Sequence, residues 1–191
     1  MEKDNLSTNI IIREATENDA ENLLKIYSYY VEETAITFEY EVPTAAEFAG
    51  RIRKTKEKYP YIVAEDKNTG RLLGYSYASA FKERAAYQWS VETTIYVDKD
   101  CKRGGLGRLL YAELEKRLSA MGILNVNACI GYPNGAEDEH LTYDSVKFHE
   151  KLGYTMVGEF HQCGSKFGRW YNMVWMEKML GEHPDNPKEL F

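Results

Sequence analysis

Residues 90–111, Ser-Val-Glu-Thr-Thr-Ile-Tyr-Val-Asp-Lys-Asp-Cys-Lys-Arg-Gly-Gly-Leu-Gly-Arg-Leu-Leu-Tyr, constrain the fold more than any other stretch of this chain. An apolar, β-branched run from Val91 to Val97 leads into a charged turn, and a helical repeat begins near Leu106. The order is strand, glycine-rich loop, helix. Gly104, Gly105 and Gly107 stand at the loop-to-helix junction, where missing β-carbons admit unusual backbone angles and close approach of a bound group. The first amides of a helix have no internal partner, and the helix dipole adds partial positive charge there. A phosphate or pyrophosphate satisfies both. The stretch lacks the Gly-Lys-Ser/Thr ending of an NTPase P-loop and the Gly-x-Gly-x-x-Gly spacing of dinucleotide folds; Lys102, Arg103 and Arg108 supply side-chain charge instead. An isolated Gly-x-Gly more often does no more than start a helix, so the neighbouring segments decide.

The rest of the chain alternates strands and helices. Residues 10–15 form a first strand, and Thr16-Glu-Asn-Asp19 offers several caps for a helix over 20–30, whose Leu23, Leu24, Tyr27 and Tyr30 make a core stripe. Thr44-Ala-Ala-Glu47 is a capping box that opens a helix reaching towards Lys58. Residues 61–66 and 74–80 predict an antiparallel pair turned through Lys67-Asn-Thr-Gly70. Leu106, Leu109, Leu110, Leu114, Leu118 and Met121 define an amphipathic helix that stops before Gly122. A strand over 125–130, a short helix over 145–152 closed by Gly153, and strands over 154–163 and 171–178 around a 164–168 turn complete the pattern.

Three segments, read with the glycine loop, carry a resemblance. Lys-Arg-Gly-Gly-Leu-Gly after a strand resembles the Arg/Gln-x-x-Gly-x-Gly/Ala loop of the GNAT superfamily of N-acetyltransferases, with Lys102 at the usual Arg/Gln position. Residues 86–97, His149-Glu-Lys-Leu-Gly-Tyr154 and Lys166-Phe-Gly-Arg-Trp170 are similar to the phosphinothricin N-acetyltransferase-like branch, in the same order over most of the chain. The resemblance implies an α/β (α+β) GNAT fold: a mixed, mostly antiparallel central sheet flanked by helices, with acetyl-CoA in a cleft between splayed central strands. It implies one acetyltransferase domain over residues 1–180, with 181–191 as a C-terminal tail.

The same resemblance implies site residues. Glu92 takes the general base's place, and His149 the place of the residue that protonates the leaving thiolate. Acetyl-CoA would be held by Ile95, Tyr96 and Val97 along pantetheine, by Lys102, Arg103, Gly104, Gly105, Leu106, Gly107 and Arg108 at the pyrophosphate, and by Ser145. Phe38, in a Thr-x-x-Thr-Phe-Glu segment, together with Phe81, Arg84 and Tyr87 would line the acceptor pocket. From periodicity alone Phe38 is equally a core aromatic, Arg84 a solvated loop residue, and Glu92 an outward-facing strand residue. Departures are visible: Lys82 replaces the first arginine of the aromatic-Arg-x-Arg-x-x-Tyr segment, Asn172 replaces an aspartate, and an acidic insertion over 135–144 leaves Thr142 where an asparagine is usual. Glu137, Asp138, Glu139 and His140 read as a solvated acidic loop and not as a metal site, because consecutive carboxylates do not define a converging shell.

Acetyl transfer to the primary amine of a small amino-acid-like acceptor, such as phosphinothricin, methionine sulfone or methionine sulfoximine, is the expected activity. A protein or peptide N-acetyltransferase, or an acetyl-CoA-binding regulatory module without transfer, are the alternatives. A net charge of −6 opposes general binding to nucleic acid or anionic membrane. Three widely spaced cysteines lack metal-ligand spacing and fit reduced thiols in a cytoplasmic protein. Neither a signal peptide nor a membrane-spanning run is expected. Family relatives are commonly dimers, so a homodimer is implied.

Overall fold

Eleven regular elements follow one another along the chain in the computed structural model, which describes residues 9–102 and 104–191. They are β1 (Ile10–Glu14), α1 (Ala20–Glu33), α2 (Ala45–Lys56), β2 (Tyr61–Asp66), β3 (Leu72–Ala80), β4 (Ser90–Val97), α3 (Leu106–Ala120), β5 (Asn125–Tyr132), α4 (Asp144–Lys151), β6 (Thr155–Lys166) and β7 (Arg169–Met179). The strands hydrogen-bond in the order β1-β2-β3-β4-β5-β7-β6. The sheet is mixed: β4 and β5 are parallel, while β1–β2, β2–β3, β5–β7 and β6–β7 are antiparallel. The chain divides into two compact units, each built from separated stretches, and the division passes through β4 after Thr93.

The first unit takes residues up to 27, 43–79 and 94–121. Four successive residues of β2, Tyr61 to Ala64, are buried, as a strand covered on both faces requires. The rings of Tyr61, Tyr75 and Tyr77 lie nearly parallel, with centroids 5.7 Å apart for Tyr61–Tyr75 and 4.8 Å for Tyr61–Tyr77; Phe48 of α2 meets Tyr75 edge-on at 6.0 Å. In α3, Leu106, Leu110, Leu114 and Leu118 recur every fourth residue and are fully buried. Arg13 binds Asp19 through both terminal nitrogens, at 2.9 and 2.8 Å, and Glu65 through Nε at 2.6 Å, tying β1 to β2 and to the turn before α1.

The second unit takes residues 28–42, 80–93 and 122–191. The parallel β4–β5 ladder has only three pairs, Ser90–Asn125, Val91–Val126 and Glu92–Asn127, although β4 runs on to Val97 and β5 to Tyr132. β5 instead pairs along its whole length with β7, from Asn125–Met179 to Tyr132–Asn172. The β6–β7 hairpin closes through Phe167 and Gly168, at φ 51° and 69°, the doubly positive geometry of a two-residue type I′ turn. The five-residue turn read from the sequence is therefore shorter, because both strands continue to its edge. A bulge between Phe160 and Gly164 puts Gln162 at φ 49°, and Asn172 holds it: Oδ1 accepts from the Gln162 amide at 2.7 Å, while Nδ2 donates to Glu159 at 2.6 Å. The tail is fastened to this unit, since Trp89 Nε1 donates to the Lys188 carbonyl at 3.1 Å and the Leu190 amide to Gln88 Oε1 at 2.8 Å.

The capping box read from the sequence forms. Thr44 Oγ1 accepts from the Glu47 amide at 3.2 Å and Glu47 Oε2 accepts from the Thr44 amide at 2.7 Å. Thr44→Ala should lower unfolding free energy by about 1 kcal/mol, read from urea midpoints, while Thr44→Ser stays near the parent value.

Candidate active site

Period-two alternation builds the candidate site in the second unit. Val91 and Thr93 are buried, at 0% and 4% exposure, so Glu92 between them faces the other side of the sheet. Lateral pairing carries that side across β5 and β7: Glu92 lies beside Asn127, Cys129 beside Trp175, and Gly131 beside Met173. Thr93 Oγ1 donates to the Asn127 carbonyl, and Asn127 Nδ2 to the Val91 carbonyl, each at 3.2 Å, pinning the short ladder at the height of Glu92.

Aromatic side chains wall this face. Phe81 meets Trp175 edge-on at 5.4 Å and Tyr87 at 6.2 Å, and the Lys82 ammonium lies 4.8 Å from the Phe81 ring centre and 5.8 Å from that of Trp175. Phe38 is seated where two glycines permit it: a β-carbon on Gly131 would come within 2.7 Å of the Ala35 carbonyl oxygen, and one on Gly164 within 2.5 Å of the Phe38 ring. Arg84 is exposed at the start of the short helical turn Ala85–Tyr87, and Tyr87 is 43% exposed. The fold thus brings Phe81, Tyr87 and Phe38 to the Glu92 face, and leaves Arg84 on the loop above. Trp175 was not singled out from the sequence; its cross-strand register is what places it here.

Partial burial raises the Glu92 carboxyl above its ordinary range, with the Lys82 charge opposing that shift. Cys129 is exposed, yet desolvation, with added repulsion from Glu92, pushes its thiol up to about 12. It is a poor nucleophile, consistent with direct transfer without a covalent intermediate.

His149 lies elsewhere in character. It is 4% exposed, its Nδ1 donates to the Ser145 carbonyl at 2.7 Å, and its ring meets Tyr154 edge-on at 5.1 Å. Burial drives its pKa down to about 4, against the weaker opposing effect of the Ser145 bond. This environment disfavours the imidazolium, and the neutral ring is anchored by its bond to the Ser145 carbonyl one turn back in α4. Ser145 contributes its carbonyl to that anchor.

The glycine loop belongs to the first unit. Asp98 caps the turn Lys99–Cys101 and bonds Arg71 at 2.7 Å. Gly105 caps α3 at φ 86°, a left-handed backbone that glycine adopts without strain, and a β-carbon there would meet open space. Gly104 and Arg108 are exposed, Gly107 half-buried, Lys102 exposed, and Ile95, Tyr96 and Val97 half-buried. Leu106 is core, 1% exposed. Arg103 lies outside the described residues.

The acidic insertion is not a freely solvated loop. Asp138 accepts from Arg169 at 2.8 Å, from Tyr171 Oη at 2.9 Å, and from the amides of His140 and Leu141 at 2.9 and 2.8 Å. Burial raises its carboxyl, but these bonds and the Arg169 charge outweigh it and hold the group below the ordinary range. Among the described residues, no group of three or more His, Cys, Asp or Glu is arranged to hold a metal.

The sequence model of the GNAT acetyltransferase domain matches residues 12–175. The chain belongs to the GNAT acetyltransferase family. It is 36% identical over 167 residues to a phosphinothricin N-acetyltransferase of Streptomyces viridochromogenes, covering 87% of this chain and 86% of that relative. It is 32% identical over 170 residues to an L-methionine sulfoximine/L-methionine sulfone acetyltransferase of Pseudomonas aeruginosa, covering 88% and 94%. The crystal structure of a GNAT phosphinothricin acetyltransferase from Sinorhizobium meliloti in complex with acetyl-CoA aligns with a TM-score of 0.83 at 34% identity, covering 94% of this chain and 92% of that one. This GNAT chain is accordingly an acetyl-CoA-dependent acetyltransferase.

The His149 environment makes a measurable claim. The unfolded imidazole titrates near 6.5 and the folded one near 4, so the unfolded chain binds the extra proton between those values. Its stabilising contribution is complete above pH 6.5, declines as pH falls towards 4, and amounts to about 3 kcal/mol. Urea unfolding at pH 7 and 4.5 should show His149→Asn losing less stability on acidification than the parent.

Proposed function

We propose that this acetyltransferase moves an acetyl group from acetyl-CoA to the primary amine of a small amino-acid-like acceptor of the phosphinothricin, methionine sulfone or methionine sulfoximine type. The observation that carries the proposal is the Glu92 face: a half-buried carboxylate, aromatic walls and an ammonium group together on one side of three adjoining strands. The aromatic walls suit a short side chain, and Lys82 suits an acidic group of the acceptor. The names of the relatives point to the same acceptor class.

In the proposed step the acceptor ammonium yields a proton to the Glu92 carboxylate, directly or through one water. The freed nitrogen lone pair then forms the C–N bond at the thioester carbonyl carbon. The C–S bond breaks with its electron pair on sulfur, the acylated nitrogen sheds its second proton to become the neutral amide, the thiolate takes up that proton through solvent, and Glu92 releases its own proton to solvent. Glu92 suits this because its raised pKa makes it a better proton acceptor near neutrality. The amides from Gly104 to Arg108 would hold the pyrophosphate and the backbone of Ile95 to Val97 the pantetheine, with Phe38, Phe81, Arg84 and Tyr87 at the acceptor.

Residues 1–180 act as one catalytic domain in this proposal, with 181–191 as its tail. The protein works in the cytoplasm, which the free thiols of Cys101, Cys129 and Cys163 support. It works as a homodimer: β6 is an edge strand that exposes Met156, Val157 and Phe160, at 44%, 59% and 55%. Light scattering should give twice the 22.1 kDa chain mass, and Phe160→Glu should return the monomer.

Thiol release from acetyl-CoA with phosphinothricin, methionine sulfone, methionine sulfoximine, polyamines and short peptides tests the activity. One of the first three should react, and Glu92→Gln should slow turnover by about 10²-fold or more with acetyl-CoA binding retained. Reaction with polyamines or peptides alone would reject the acceptor, and binding without release would reject transfer. Lys82→Ala removes the charge that lowers the Glu92 pKa, so the acidic limb of the kcat/KM profile should move to higher pH.

A further inference from the structure

Residues 34–38, which carry Phe38, have no regular secondary structure of their own, but they are bound from two sides. From β6, the Lys166 ammonium donates to the carbonyls of Thr34 and Thr37 at 2.8 and 2.9 Å. Lys166 is 4% exposed, an unusual place for an ammonium group unless it is fully engaged. Next to it, Tyr40 Oη donates to the Ser165 carbonyl at 2.7 Å. From the insertion, the His140 carbonyl accepts from the Ala35 amide at 3.0 Å, and His140 Nδ1 donates to the Glu33 carbonyl at 2.9 Å. The His140 ring stacks on Phe167 at 3.8 Å, and Leu141 packs with Ala35 and Tyr171 in a small buried cluster against which Phe38 lies.

These bonds have a common consequence. The acceptor-side segment is fixed by carbonyl contacts to Lys166 and backbone contacts to His140, while the Asp138–Arg169–Tyr171 network fixes the insertion that presents His140. Phe38 stands over Gly131, two residues along β5 from Cys129 and on the same side of the strand as Glu92. A shift of this segment therefore changes the width of the acceptor face.

We propose that Lys166 and His140 are positioning residues that set acceptor selectivity by holding residues 34–38, and with them Phe38, over the Glu92 face. The inference rests on the acceptor site proposed above. It makes the insertion over 135–144 a selectivity element of this chain and Lys166 the strut that opposes it. Burial lowers the Lys166 pKa, with the Glu39 charge opposing that shift.

Steady-state kinetics of Lys166→Met and His140→Ala, with methionine sulfone and a bulkier amino acid as the two acceptors, test it. Each variant should lose about tenfold or more in kcat/KM for the preferred acceptor, narrow the ratio between the two acceptors, and leave the KM for acetyl-CoA unchanged. His140→Asn, whose amide can still donate to the Glu33 carbonyl, should recover part of the selectivity. In a Phe38→Ala background, Lys166→Met should add little further change in the acceptor ratio, because the group it positions is gone. His140 lies near the surface, so His140→Ala keeps the test decisive if Lys166→Met does not fold. Folded variants with parental acceptor KM and ratio would overturn the inference while the acetyltransferase assignment stands. A parent protein that transfers to neither acceptor would overturn both.

Discussion

A carboxylate on a strand whose immediate neighbours are core residues has one side of the sheet open to it. Val91 and Thr93 are buried, and Glu92 is turned away from them by the pleat. Every other feature of the proposed site follows from that facing. Pairing with β5 brings Asn127 alongside, pairing of β5 with β7 brings Trp175 and Met173 to the same side, and the aromatic walls gather over them. The ladder between β4 and β5 then ends, three pairs after it starts, and beyond that point backbone pairing no longer dictates what lies against β4 on its β5 side.

The acceptor face is held by interactions of different strength. The strands are fixed by backbone bonds, which tolerate many side chains. Phe38 is fixed by a buried cation and by a loop of charged residues, which do not. Lys166, Asp138 and Arg169 are partly or fully withdrawn from water and are retained only with their partners in place. In the proposed site, acceptor selectivity would thereby be concentrated in a few polar contacts away from Glu92.

The helices and strands were legible because apolar periodicity is a local property. The α3 stripe, the Thr44 box and the β4 run all appear where residue spacing puts them. What escaped was register. Trp175 reads as one aromatic in a strand until its partner Cys129 is known, and Lys166 reads as a surface residue until Thr34 and Thr37 arrive from more than a hundred residues away. The insertion illustrates the same limit with charge. Four consecutive polar residues suggest solvent, yet Asp138 meets Arg169 and Tyr171 on a strand that sequence proximity does not reveal. Glu92 as base and the glycine loop as anion cradle came from the resemblance; spacing alone left both open.

Asn172 shows how a departure from the family pattern acquires a physical reason. An aspartate there is able to accept from the Gln162 amide, but it has no hydrogen to give Glu159 and would repel it. The amide satisfies both, so Asn172 and Glu159 belong together in this chain and the bulge in β6 is their joint product. Lys82 is a different case. Among the described residues it makes no ion pair, and its ammonium rests on the faces of Phe81 and Trp175. An arginine in its place could clamp an acidic group with two parallel bonds; a lysine offers a single compact charge that moves with its stem. The chain thus keeps a cation at the proposed acceptor face while loosening its geometry, and in that proposal the rigid definition of the acceptor would pass to the wall where Lys166 and His140 hold the segment that carries Phe38.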